Sequence, residues 1–167
     1  IARILEHSGA EVSRANYQGD VGLHVAKAIY GLLKNEKLQD KTGSNNLQSE
    51  NIGRAYTLGA GAYENDKQAK KEIDEINKKI YARRDEKINE IYDWGFRVTM
   101  DAFEDLYKVL GTKFDFYFLE SQMAPIGEGI VRDNVNSIFE ESDGAVVFKA
   151  EKHDPKLHTR VFVTSLG

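Results

Sequence analysis

The architecture of this chain turns on RANYQGDVGLHVAKAIYGL, residues 14–32. In AEVSRANY, residues 10–17, Val12, Ala15 and Tyr17 stand in a strand-like setting that runs into Gly19-Asp20 and Gly22. A helical pattern follows at once, with Leu23, Ala26, Ile29, Tyr30 and Leu33 along one face. In open α/β sheets, ligands collect at the carboxyl ends of strands, beside the helix that follows. Helix amides there favour anions, and small residues at 19 and 22 let a ligand approach the backbone. The spacing is neither G-x-G-x-x-G nor a P-loop, so a plain strand-to-helix turn that needs glycines for its geometry competes with the ligand reading.

Working outward, IARILEHSG has apolar residues at Ile1, Ile4 and Leu5 and a capping glycine at Gly9. It reads as the last turns of a helix without an N-cap, and the chain as a piece of a larger protein. Residues 37–51, KLQDKTGSNNLQSEN, are polar and rich in turn formers, so a flexible loop is expected. From 51 to 110 the pattern is continuously helical. Ala69, Ile73, Ile76 and Ile80 recur at helical spacing, then Ile88, Ile91, Tyr92, Phe96, Met100, Phe103, Leu106, Tyr107 and Leu110, with Gly111 as cap. Strand character returns in TKFDFYFLES, 112–121, and a helix is expected after Pro125. AVVFKAE and LHTRVFVTS are the last two strands, separated by KHDPK. An α/β core interrupted by a helical block is the simplest account, with residues 1–50 and 111–167 in the core and 51–110 as the insertion. Parallel pairing is expected between the strands near 12–16 and 114–118.

With 167 residues, 41% of them apolar and 30% charged, the chain suits one globular domain. A net charge of −4 argues against a generally basic nucleic-acid coat. There is no cysteine, and His7, His24, His153 and His158 have no metal-ligand spacing, so no metal site is expected. No apolar run approaches the roughly 18 residues of a membrane span, and no signal peptide is visible, which makes the cytoplasm the default location.

Two further features carry chemistry. Glu120, at the end of the apolar FYFL strand, reads either as the cap of the next turn or as a carboxylate facing a bound cation such as guanidinium. The basic series Lys67, Lys70, Lys71, Lys78, Lys79, Arg83, Arg84 and Lys87 is interleaved with Glu72, Asp74, Glu75, Asp85 and Glu86, so a solvated face with ion pairs is expected rather than a phosphate-binding one. GRAYTLGAGAYEND, 53–66, has the look of one tetratricopeptide helix but no second copy, so it reads as local packing.

Taken together, the stretches ARILEHSGAEVSRANYQGDVGLHVAKAIYGL, AFEDLYKVLGTKFDFYFLES, IFEESDGAVVFKAE and LHTRVFVTSLG resemble arginyl-tRNA synthetases, in the order and spacing of that family. The resemblance implies a partial Rossmann-like class I synthetase catalytic core with an all-helical connective insertion. It implies arginine, ATP with Mg2+ and tRNA(Arg) as partners of the full-length parent, and no membrane. Glu120 matches the glutamate of the family's Glu-Ser motif and would face the substrate guanidinium. Asn16, Gln18, Gly19, Asp20 and Gly22 would line the substrate crevice. The family's His-x-Gly-His signature and its Lys-Met-Ser-Lys-Ser loop are absent from this sequence, and His24 does not replace the former. No catalytic residue is therefore assigned, no tightly bound cofactor is expected, and the chain alone is expected to be inactive. A helical protein-interaction module around 51–110 is the alternative reading.

Overall fold

The computed structural model describes residues 1–164; the turn expected after the last strand, at 165–167, lies outside them. The chain divides into two compact units, Ile1–Glu120 and a second beginning at Ser121.

In the first unit, α1 (Ala2–His7) leads to β1 (Ala15–Gln18) and then to α2 (Leu23–Lys34). Three long helices follow: α3 (Asn45–Asn65), α4 (Lys67–Ala82) and α5 (Glu86–Leu110). Strand β2 (Phe116–Leu119) closes the unit and pairs with β1 in parallel, Ala15 beside Phe116 and Gln18 beside Leu119. The expected parallel pairing is therefore present, in strands shorter than the sequence pattern suggested. The α/β class holds, with two parallel strands among the described residues of this unit.

α4 and α5 form because each ends on a chemically apt residue and buries one stripe. Asp66 and Asp85 cap α4 and α5, accepting hydrogen bonds from Ala69 and Ile88 amides at 3.2 and 3.1 Å. Arg83 and Gly111 end the same two helices in the left-handed conformation, with φ of 53° and 59°. Ile73, Ile76 and Ile80 from α4 and Ile88, Ile91, Trp94 and Val98 from α5 meet Ala26, Ile29 and Leu32 of α2 in one core. The basic series lies on the outer face as expected, with Lys78 paired to Glu75, Lys79 to Asp85 and Arg83 to Asp93 at 2.6–2.8 Å. Such exposed pairs contribute little to stability.

Two expectations are corrected. The polar stretch 37–51 is not one loop: Glu36–Gln39 forms a 3-10 turn, and α3 begins at Asn45. Ser44 caps it, Asn51 is buried, and Gln48 accepts a 2.8 Å hydrogen bond from the Trp94 indole. The half-buried Gln48 finds its partner about 46 residues along the chain, which a composition count does not register. The helix expected after Pro125 is α6, Glu120–Asp133, with the proline inside it. Starting at the strand end keeps backbone groups 120–124 in a helix instead of a loop, at the loss of the one bond that Pro125 cannot donate. Glu120 is thus the first residue of a helix, not the last of a strand.

In the second unit, β3 (Glu140–Ser142), β4 (Ala145–Phe148) and β5 (Arg160–Val163) form an antiparallel sheet in that order. Asp143 and Gly144, with φ of 51° and 80°, make the two-residue turn between β3 and β4. Two positive φ angles in succession suit the twist of a hairpin. Val131 of α6 packs there with Val146 and Val163.

Candidate functional site

The β1–β2 register puts Gln18 beside Leu119, so Gly19 and Glu120 leave the two strands side by side at their carboxyl ends. A β-carbon at Gly19 would stand 3.1 Å from Oε2 of Glu120 and 3.7 Å from Cε1 of His24. A side chain at this position would press on the end of the Glu120 side chain, so the carboxylate stands against the turn.

The turn is held from within α2. His24 Nε2 lies 3.0 Å from the Gly19 carbonyl oxygen. A carbonyl only accepts, so this nitrogen carries the proton. At Gly22, where φ is +108°, a β-carbon would lie 3.6 Å from Nδ1 of the same imidazole and 3.9 Å from the Tyr81 hydroxyl. The His24 ring therefore packs against both glycines of the turn.

Asp20, between those glycines, is 8% exposed and accepts a 2.9 Å hydrogen bond from the Tyr92 hydroxyl of α5. Burial, followed by the bond to Asp20 and its charge, pushes the Tyr92 phenol far above its usual pKa. The Arg83 guanidinium lies over the Tyr92 ring, 4.7 Å from its centroid. Tyr81 is also raised, first by partial burial, then by the charges of Glu120 and Asp20.

Asn16 and Gln18 alternate onto the half-buried face of β1 and point to another part of α5. Their side-chain amides donate to the Tyr107 hydroxyl, at 2.9 Å from Asn16 and a long 3.5 Å from Gln18. Gln18 Oε1 is enclosed with no hydrogen-bond donor among the described residues. Gln18, Gly19 and Asp20 line one end of a cleft of about 490 Å³ between α2, α3 and α5, whose walls include Ile29, Leu32, Ile52, Phe96 and Met100. Asn16, Gly22 and Glu120 are not part of that lining.

Gly19, Asp20, Gly22 and Glu120 therefore gather at one place, while Asn16 and Gln18 are tied to Tyr107. What the sequence reading missed is the tyrosine set. In the sequence pattern Tyr92 and Tyr107 belong to the apolar stripe of α5. Tyrosine carries a polar tip that needs a partner when buried, and that is the signal that could have singled them out. His24, which carries no role in the sequence pattern, braces the turn.

The bond from Tyr92 to Asp20 has a testable cost. Tyr92→Phe keeps the ring but removes one donor from a buried carboxylate, and a loss of about 1–2 kcal/mol in unfolding free energy is expected, read by urea denaturation. An unchanged midpoint would mean that water replaces the hydroxyl without penalty.

No family model matches the chain. Among known proteins it is similar to the arginine–tRNA ligase of Borreliella afzelii (strain PKo), 26% identical over 176 aligned positions that cover 100% of this chain and 30% of the relative. The arginine–tRNA ligase of Lactobacillus johnsonii is 30% identical over 164 positions, covering 94% of this chain and 28% of the relative. Among solved structures, the arginyl-tRNA synthetase from Plasmodium falciparum matches 99% of this chain and 27% of its own with a TM-score of 0.61; at 17% identity this likeness bears on the fold alone. The chain spans about 30% of the length of the curated relatives it matches. It is therefore related, over its full length, to a segment of the arginyl-tRNA synthetases.

Proposed function

We propose that the chain forms part of the catalytic region of an arginine–tRNA ligase, which joins arginine to ATP as arginyl-adenylate and passes the arginyl group to tRNA(Arg) in the cytoplasm. The observation that carries this reading is the placement of Glu120 against Gly19 at the carboxyl ends of a parallel strand pair. That is where an open α/β sheet binds ligands, and a guanidinium needs carboxylate acceptors at fixed positions. In this reading residues 1–50 and 111–167 belong to a Rossmann-like core, and 51–110 are its connective helical insertion. Asn16 and Gln18 support the crevice through Tyr107, whereas Glu120, Gly19, Asp20 and Gly22 form its floor. Mg2+ enters with ATP, and no step is assigned to it from this chain.

The alternative, an interaction module around 51–110, would need an apolar helix face left for a partner. The isoleucine stripes of α4 and α5 are already spent on α2 and on each other, and apolar residues left exposed, among them Leu58 of α3 and Leu106, Val109 and Leu110 of α5, lie outside those stripes. The chemistry of the crevice favours the ligase.

A protein of the relatives' length that carries this chain is expected to catalyse arginine-dependent ATP–pyrophosphate exchange, and the 167-residue chain alone is not. Both phosphate-handling signatures of the family are missing from these residues, and groups that act together in catalysis lose nearly all activity when one part is removed. Exchange by the isolated chain at the rate of the longer protein would contradict this, as would exchange supported by another amino acid and not by arginine.

A further inference from the structure

The helical segment delivers to the carboxylate crevice a side chain that no strand or turn motif supplies. Tyr81 stands in the last turn of α4. Its neighbour Ile80 is 1% exposed and belongs to the core, whereas Tyr81 is 55% exposed. The ring thus leaves the packed layer, and its hydroxyl reaches the turn, 3.9 Å from where a β-carbon at Gly22 would stand. Glu120 and Asp20 are the two carboxylates whose charges act on it.

The other polar groups around the turn are committed. The Gly19 carbonyl accepts from His24, and Asp20 accepts from Tyr92. The nearest cation of the same helix end, Arg83, is paired with Asp93 at 2.7 Å and stacked on Tyr92. The Tyr81 hydroxyl has no hydrogen-bond partner among the described residues. A guanidinium is planar and has five N–H donors, of which one carboxylate satisfies a single edge of two. The remaining donors need acceptors at the rim.

We propose that Tyr81 is a ligand-facing specificity residue of this crevice, its hydroxyl accepting an N–H from a planar guanidinium whose other edge is held by Glu120. The proposal rests on the arginine reading above and deepens it, by giving the helical insertion a direct part in choosing the amino acid. The hydroxyl acts on ground-state binding of the side chain, far from the reacting carboxylate and phosphate, so it belongs in KM and not in kcat.

The test uses the full-length ligase and ATP–pyrophosphate exchange with arginine as the varied substrate. Tyr81→Phe removes only the hydroxyl and is expected to raise the arginine KM about five- to tenfold, the effect of one half-exposed hydrogen bond to a charged group. The ATP KM, kcat and melting temperature stay at wild-type values. Tyr81→Ala shows the same direction with a larger rise. An arginine KM within about twofold of wild type in Tyr81→Phe overturns the proposal, as does a rise shared equally by arginine and ATP or accompanied by a lowered melting temperature. Glu120→Gln in the same assay separates the two levels. If it raises the arginine KM while Tyr81→Phe does not, Tyr81 alone is excluded; if neither does, the crevice reading falls with it.

Discussion

Glu120→Gln, made in the full-length ligase, is expected to raise the arginine KM by roughly ten- to hundredfold while the ATP KM changes little. The amide keeps the size and shape of the carboxylate and loses its charge. A hydrogen bond between charged partners is worth about 1.5–3 kcal/mol, and that difference sets the range. The competing role is structural. Glu120 is the first residue of α6, where a negative charge is favoured by the helix dipole. If that is its whole function, Glu120→Gln lowers the unfolding free energy by about 0.3–1 kcal/mol, seen as a lower melting temperature, and leaves the arginine KM alone. Measuring KM and melting temperature on one preparation decides between the two.

A larger effect on stability is expected at the crossing of α2 and α3. A β-carbon at Gly31 would lie 2.0 Å from the Ala55 carbonyl oxygen, and one at Gly59 would lie 2.0 Å from that of Lys27. The two contacts are reciprocal: Lys27 and Gly31 of one helix face Gly59 and Ala55 of an antiparallel neighbour. Backbone cannot rotate away as a side chain can, so either substitution forces the helices apart. The separation would loosen Ala26, Ala55, Ile29 and Leu32, which are at most 3% exposed. Gly31→Ala or Gly59→Ala is expected to destabilise the protein by about 2–3 kcal/mol, after the ~0.5–1 kcal/mol that alanine gains in helix propensity. Gly61→Ala, in the same helix with nothing within 4 Å of its β-carbon, is the control and should stabilise by up to about 1 kcal/mol. Equal midpoints for Gly31→Ala and Gly61→Ala would remove the close-packing account.

What the sequence determined by itself was whatever depends on local repetition and on end residues. The apolar period of α2, α4 and α5 and the stop at Gly111 are of that kind, because each is satisfied within a few residues of chain. The glycine turn at 19–22 was legible as a place where backbone must come close to something. What it comes close to was not. The partners are Glu120, about a hundred residues on, and His24, whose ring stands within van der Waals reach of both glycines. The helical start of α3 was hidden for the same reason: Ser44, Gln48 and Asn51 look like loop chemistry until Trp94 and the core around them are in place. The tyrosines of the crevice show the limit most clearly. Tyr92 and Tyr107 fit the apolar stripe of α5 as well as any phenylalanine, and Tyr81 follows a stripe residue with nothing in the sequence to mark its hydroxyl. Only the tertiary structure decides which hydroxyl meets Asp20, which meets Asn16 and which is left facing the turn, since a hydrogen bond is set by distance and direction between groups that the chain order keeps far apart.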